Sequence, residues 1–340
     1  MAVNLRKINE QVMVITGATS GIGLTTARMA ASQGARLVLA ARSADALDQL
    51  ASELRRQGSQ VATVAADVGK QDDVERIGQA AMERFGRIDT WVNNAGVSIY
   101  GRIEEVPIED QQRVMQTNFW GVVYGSLEAV KRMKTRGGGA LINLGSEVST
   151  RAVPLQGVYS ASKHAVKGYT DALRMELEKE GAPISVTLVR PSAIDTMFTV
   201  HAKNYMDKEP TLPPPVYAPE LVAESILHAA QHPVRDVFVG GHAKFASVSD
   251  ITMPRALDRF MQAFVFRQQQ TDAPAAPGRR DALYAPDPAT ELRERQGMPR
   301  SVHEHSPYTA LARHSGPLKT ALLGAGALFA WSMLSRRAAR

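Results

Sequence analysis

"VMVITGATSGIG" (12–23) runs from a short apolar stretch straight into a turn with glycines at 17, 21 and 23. The stretch is too short for a buried helix and reads as a strand covered on both faces. Gly17, Gly21 and Gly23 let the backbone turn sharply and approach a diphosphate, whose charge suits the start of the following helix. The spacing is G-x3-G-x-G rather than the more familiar G-x-G-x-x-G. On its own, the turn reads either as a nucleotide cradle or as a strand-to-helix turn that happens to need glycine.

Strand-like and helix-like segments alternate outward from this point to about Gly240. "ARLVLAA" (35–41), "QVATVAA" (60–66), "DTWVNNA" (89–95), "ALINLGS" (140–146), "ISVTLVR" (184–190) and "RDVFVGG" (235–241) repeat the first strand's pattern, giving seven strands. Unbroken apolar runs indicate strands buried on both faces, as in a parallel sheet, and the segments between them are long enough for crossover helices. The fold expected is α/β: a doubly wound, seven-stranded, mostly parallel Rossmann sheet followed by a C-terminal helical and extended extension.

After Gly241 the alternation stops, which suggests three parts. Residues 1–241 form a catalytic unit holding the cofactor and substrate sites. Residues 242–316 form an extension. It opens with an amphipathic helix at 253–269, where Leu257, Phe260, Met261, Phe264 and Val265 lie at helical spacing. A Pro-, Ala- and charge-rich stretch at 271–300 then reads as an extended or mobile connector. Residues 317–340 form an apolar C-terminal helix.

Composition narrows the function classes. The chain has 340 residues, 44% hydrophobic and 22% charged, as in ordinary globular proteins. It has no cysteine, which excludes disulfides, thiolate chemistry and Cys-ligated metal, and fits a reducing, cytoplasmic setting. His201 lacks metal-ligand spacing, and no metal site is expected. The net charge is +6, and Arg313, Lys319, Arg336, Arg337 and Arg340 supply five of those charges with no acid among them. A basic tail on a near-neutral body argues against nucleic-acid binding. The N-terminus shows no secretory signal.

Three further motifs carry chemistry. Where the second strand ends, a carboxylate would bind an adenosine 2′-hydroxyl and repel a 2′-phosphate. This sequence has Ala41 and Arg42 there, and an arginine can pair with that phosphate, which favours NADP over NAD. "NNAG" (93–96) ends the fourth strand, where amides and small residues would line a cofactor cleft. "GVYSASKHAV" (157–166) places Tyr159 and Lys163 one turn apart on one helix face with small residues between them. A tyrosine ionises near pH ~10, and an ammonium beside it is expected to lower that value into a range useful for proton transfer.

Together the ordered motifs resemble the short-chain dehydrogenase/reductase family over about residues 10–241. The resemblance implies catalytic roles for Asn118, Ser146, Tyr159 and Lys163. Tyr159 would be the general acid/base. Lys163 would tune it and hold the nicotinamide ribose. Ser146 would fix the reacting oxygen, and Asn118 would hold a water linking Lys163 to solvent. Ser160, Ala161 and Ser162 would let the cofactor lie close to their helix. NADP(H) contacts are implied from Gly17, Thr19, Ser20, Gly21, Ile22 and Gly23 in the first turn, and from Arg42. They are implied also from Asp67 and Val68 in "AADV", from Asn94, Ala95 and Gly96, and from Pro191, Ile194 and Thr196 in "RPSAIDT" (190–196). Ser192 stands where the family carries glycine, and a serine resists backbone conformations that glycine allows.

The activity implied is hydride transfer between NADP(H) and a carbonyl/alcohol pair on a lipophilic substrate, reduction being the physiological direction. The alternatives are a 3-oxoacyl-carrier-protein reductase, against which the long extension argues, and a non-catalytic NADP-binding scaffold or sensor. Met197, Phe198, Tyr205 and Met206 either line an apolar substrate pocket or pack as core; "TRAVPLQG" (150–157) is expected to border that pocket. A homo-oligomer is implied through helices near 107–134 and 157–180. Ala165, Val166, Tyr169, Ala172 and Leu173 form either its contact stripe or the face on the sheet. Thr320–Leu334 is uncharged but as a helix reaches only ~22 Å against a ~30 Å hydrocarbon core. Membrane attachment as a marginal span or an interfacial helix is expected, against a helix docked on protein or in an oligomer interface.

Overall fold

The structure is a computed structural model of the chain. It describes residues 3–241, 254–297 and 302–313. Seven strands form the central sheet: β1 (Val12–Thr16), β2 (Arg36–Ala41), β3 (Val61–Ala65), β4 (Thr90–Asn93), β5 (Gly139–Leu144), β6 (Ile184–Pro191) and β7 (Asp236–Val239). Their order is β7-β6-β5-β4-β1-β2-β3, and every pairing is parallel. All seven lie within or one residue beyond the runs read from the sequence. The order reverses between β1 and β4, and a crevice opens there at the carboxyl ends of the strands.

Helices cover both faces, which is why the strands are apolar without alternation. One core layer joins the sheet to α1 (Gly21–Ser32), α2 (Ala44–Arg56) and α7 (Pro219–Ala229) through Leu24, Leu50, Leu54 and Ile226. The other joins it to α3 (Gln71–Phe85), α5 (Gly121–Lys134) and α6 (Gly157–Glu180) through Val74, Ile77, Met133 and Leu177. In α2, Leu47, Leu50, Ala51 and Leu54 recur at helical spacing, Ser43 Oγ accepts from Ala46 N–H at the N-cap, and Arg55 and Arg56 close the last turn. Each large apolar side chain so buried is worth roughly 1.5–3 kcal/mol. Helix α4 (Ile108–Met115) continues into α5 through a π turn at Gln116–Trp120.

The candidate interface stripe on α6 divides. Val166 and Leu173 are buried toward the sheet, whereas Ala165 and Tyr169 are half-buried and Ala172 is exposed.

The extension departs from the connector expected. A helix over Pro254–Phe260, α8, continues through Met261–Val265 to Gln268; Met261 and Val265 are buried, while Phe260 and Phe264 stay exposed. Arg151 forms an ion pair with Asp258. Strand Gln270–Pro274 pairs antiparallel with Lys208–Pro210. Residues 279–296 then run back across the carboxyl ends of the strands. Ala282 N–H donates to His201 O (2.8 Å), Leu292 N–H to Thr19 O (2.8 Å) and Gly21 N–H to Arg293 O (2.9 Å). The polar composition that read as a loose connector instead supplies the hydrogen bonds and ion pairs of a strap. No helix among the described residues is long and apolar enough to cross a membrane; the segment 317–340 lies outside the described residues.

Candidate active site

The crevice between β1 and β4 is one continuous cleft with about 1670 Å³ of empty space, its open mouth included. Its floor is the glycine turn. Gly17 has φ +65, a value that favours glycine, and a Cβ on Gly23 would stand 2.0 Å from Gly17 O. Asn94 staples this turn to β4, donating from Nδ2 to Thr16 O (2.9 Å) and Gly17 O (3.2 Å). Thr19, Ser20, Gly21 and Ile22 line the cleft, as do Ala95 and Gly96. Gly23 does not; it acts by letting the turn close on itself.

At one end stand Arg42, Asp67 and Val68. Arg42 donates to Ala282 O (2.6 Å) and Leu283 O (3.2 Å), so the strap orients its guanidinium without neutralising it. Burial and the neighbouring Arg113 lower its pKa. Asp67 is less free than a cofactor contact would suggest. Its carboxylate pairs with Arg113 (2.8 Å) and accepts from Gly69 N–H (3.0 Å).

At the other end, α6 presents Tyr159 in its first turn and Lys163 one turn later. Helix α6 is anchored beneath the site by a buried amide chain. Asn93 Nδ2 donates to Asn143 Oδ1 (2.8 Å), and Asn143 Nδ2 to Thr170 Oγ1 (3.0 Å). Ser146, just past β5, caps a short turn at Glu147–Ser149, accepting from Val148 N–H (3.3 Å). It lines the same cleft as Tyr159, and its hydroxyl stabilises the phenolate, working against the burial of Tyr159. Lys163 Nζ donates to Leu144 O (2.8 Å) and lies 5.8 Å from the Tyr159 ring centre.

The pKa logic read from the sequence needs correction here. Burial raises Tyr159 well above its ordinary value, and burial lowers Lys163 to about 8. Desolvation disfavours both charged forms and outweighs any mutual stabilisation of phenolate and ammonium. In the chain alone, burial therefore favours a protonated Tyr159.

Two other expectations also change. Asn118, in the π turn, does not line the cleft. Its Oδ1 accepts from Val97 N–H (2.8 Å), and its Nδ2 donates to Val97 O (2.9 Å) and Ser162 Oγ (3.0 Å). Its amide therefore pins the loop after β4 to α6, with one lone pair of Oδ1 still able to accept from a water. Ser160 and Ser162 are buried against protein and Ala161 is exposed, so none of the three clears space in the cleft.

Pro191, Ile194 and Thr196 line the cleft. Ser192 replaces glycine without a positive φ, and its N–H donates to Val239 O (2.9 Å). Met197 and Phe198 also line it, Phe198 packing edge-on against Tyr159 at 5.2 Å between ring centres. Tyr205 and Met206 do not, and the Tyr205 hydroxyl instead bonds Asp110. Val153 and Gln156 border the cleft from the 150–157 segment. His201 lines it as well, hydrogen-bonded through Nε2 to Thr290 Oγ1 (2.8 Å), and burial lowers its pKa to about 4.

Sequence reasoning missed the wall contributed by the extension. Gln269, Ala282, Pro286 and Glu291 all line the cleft. Gln269 is held by Gln156 Nε2 (2.7 Å) and Pro154 O (2.7 Å). No local pattern marks these residues, because what places them is chain packing over long separations.

The donor set fits a dinucleotide. A glycine cradle at a helix start, a fixed arginine at one end and a tyrosine–serine pair at the other share one cleft. The buried Glu291 Oε2 there has no hydrogen-bond partner among the described residues. Fold and site define an oxidoreductase of the doubly wound α/β class. The short chain dehydrogenase family matches residues 11–206, and the chain belongs to the short-chain dehydrogenase/reductase family. An uncharacterized oxidoreductase, YxnA of Bacillus subtilis, is 45% identical over 336 residues, covering 98% of this chain and 93% of the relative. Among solved structures, an alcohol dehydrogenase of the archaeon Thermococcus sibiricus complexed with 5-hydroxy-NADP aligns at TM-score 0.58 and 32% identity. It covers 67% of this chain and 95% of its own. A short-chain dehydrogenase/reductase of Burkholderia phymatum in complex with NAD aligns at TM-score 0.64 and 26% identity, covering 81% and 100%.

Proposed function

We propose that the chain is an NADP(H)-dependent reductase of carbonyl groups on lipophilic substrates, with Tyr159 as the proton donor. The observation that carries this reading is that Ser146, Tyr159 and Lys163 line one end of a cleft whose other end holds Arg42. When bound, the nicotinamide supplies the hydride. The Tyr159 hydroxyl donates a proton to the carbonyl oxygen as negative charge develops there, and its raised pKa keeps that proton in place until then. Ser146 Oγ holds the same oxygen and fixes its position. Lys163, buried at a pKa of about 8, is the neighbouring group from which a proton can be restored. Asn118 is a positioning residue that ties α6 to the loop after β4.

Arg42 supports NADP(H), because two neutral carbonyls aim its guanidinium and leave its charge for a 2′-phosphate. The neighbour from Thermococcus sibiricus carries an NADP derivative and that from Burkholderia phymatum NAD, so the fold accommodates both cofactors. Val148, Val153, Met197, Phe198, Leu212 and Pro213 give the cleft its apolar side chains, which suits a lipophilic substrate. The reading is tested by NADPH and NADH oxidation against a panel of aliphatic, aromatic and polycyclic ketones and aldehydes. Oxidation of NADPH with apolar carbonyls is expected. Binding of NADPH with no turnover across the panel would contradict it.

We propose further that the protein is a homo-oligomer and that residues 317–340 attach it to a membrane. An exposed aromatic and aliphatic surface on α5, α6 and the π turn supports the first: Trp120, Leu127 and Met175 are 43%, 54% and 59% exposed. The uncharged run Thr320–Leu334, with Trp331 and closing arginines, supports the second.

A further inference from the structure

The extension carries one ionisable side chain into the cleft that no motif announces. Glu291 lines it together with Thr19 and Arg42. The Thr19 side chain favours its charged form, yet Oε2 is buried with no hydrogen-bond partner among the described residues. Arg42 does not fill that place: Oε2 accepts no bond from it, and the carbonyls of Ala282 and Leu283 engage two of its five N–H groups. A buried carboxylate oxygen left unpaired is costly, and it invites a donor. What remains is an acceptor and a guanidinium lining the same end of one open cleft.

The strap holds Glu291 in that position from both sides. Thr290 is bonded to His201 (2.8 Å), Leu292 N–H to Thr19 O (2.8 Å), Arg293 O to Gly21 N–H (2.9 Å) and Glu294 to Arg28 (2.6 Å). Leu292 has φ +56, a conformation rare for a bulky residue. It persists only where the surroundings over-determine it, as these flanking contacts do.

We propose that Glu291 reads the 2′ position of the cofactor's adenosine ribose in opposition to Arg42. Its carboxylate accepts a ribose hydroxyl and repels a phosphate, so Arg42 and Glu291 jointly set the choice between NADP(H) and NAD(H). The end of β2, where such an acid would be sought, holds Ala41 and Arg42; the extension supplies the acid instead. The inference rests on the dinucleotide reading of the cleft.

The test is binding, followed by nicotinamide fluorescence, of NADPH and NADH to the full chain with no substrate present. Glu291→Gln keeps the shape and the Thr19 contact and removes the charge. It is expected to shift the ratio of affinities toward NADPH by about tenfold, tightening NADPH and weakening NADH. Arg42→Gln is expected to shift the ratio the other way. Glu291→Asp keeps the charge and is expected to stay within about threefold of the unaltered chain. A Glu291→Gln ratio that is unchanged or moves toward NADH overturns the proposal, as does a Glu291→Asp shift equal to that of Glu291→Gln. Failure of the unaltered chain to bind either nucleotide would overturn the dinucleotide reading instead. An unchanged ratio in Arg42→Gln alone would remove Arg42 and leave Glu291.

Discussion

Tyr159, Lys163 and His201 share one physical circumstance: each is an ionisable group taken out of water without a full counter-charge. Burial favours the neutral form in all three, which keeps the phenol protonated and the imidazole uncharged. For His201 this has a consequence for stability. Its pKa is about 4 in the folded chain against 6.5 for an ordinary histidine. Between those values the unfolded chain binds more protons than the folded one, so stability is fully present above pH 6.5 and falls as pH drops toward 4. Asp287 partly offsets the burial, while Arg42 and Arg279 add to it. His201→Gln, which retains a group able to bond Thr290, is predicted to flatten this stretch of the curve. Thermal melts of both proteins from pH 7 to 4 check it, and parallel curves would contradict it.

At the scale of elements, the glycine turn and α6 explain why so much of the site was legible in advance. The seven strands showed as apolar runs because both sheet faces are covered, and the cleft residues of the first turn, β4 and α6 lie within short motifs. The strap did not show, because a Pro- and charge-rich stretch carries no period and its order comes from bonds to Thr19, Gly21, Arg28 and His201. The π turn was equally silent, and with it the commitment of Asn118 to Val97 and Ser162. Pair-by-pair reading of Tyr159 and Lys163 missed the effect of burial for a similar reason: desolvation depends on everything packed around the pair. The glycine turn also yields a prediction. A methyl on Gly23 would meet Gly17 O at 2.0 Å and Asn94 Nδ2 at 2.6 Å, and the first contact is backbone that cannot swing aside. Gly23→Ala is predicted to cost about 1–3 kcal/mol of stability through overpacking. It should also weaken NADPH binding at least tenfold by opening the cradle. Melting and fluorescence titration measure both effects, and wild-type affinity in that variant would show that the turn does not hold the nucleotide.

At the scale of the whole molecule, the described residues form a Rossmann sheet whose cleft is closed on one side by a chain segment that follows the sheet in sequence. Its outer face on α5 and α6 carries Phe119, Trp120, Tyr124 and Tyr169 in an interlocked aromatic group, with Trp120 stacked on Tyr124 at 5.8 Å. An apolar cluster of this kind is a natural subunit contact. Light scattering at micromolar concentration is predicted to give a multiple of 36.9 kDa, and Trp120→Glu to lower it. A monomeric mass for the unaltered chain would contradict the assembly. For the C-terminal segment, full-length protein is predicted to sediment with liposomes and a chain ending at Ser315 to remain in solution. Both staying soluble would contradict attachment.

The central claim, that Tyr159 delivers the proton to a carbonyl while a separate part of the cleft holds the cofactor, is tested most directly by Tyr159→Phe. NADPH affinity and single-turnover NADPH oxidation are measured side by side, with the best substrate of the carbonyl panel. The ring, its packing on Phe198 and the rest of the cleft are kept, so affinity is predicted to stay within about twofold of wild type, while the rate falls by about two orders of magnitude or more. A variant that oxidises NADPH at close to the wild-type rate would contradict the account.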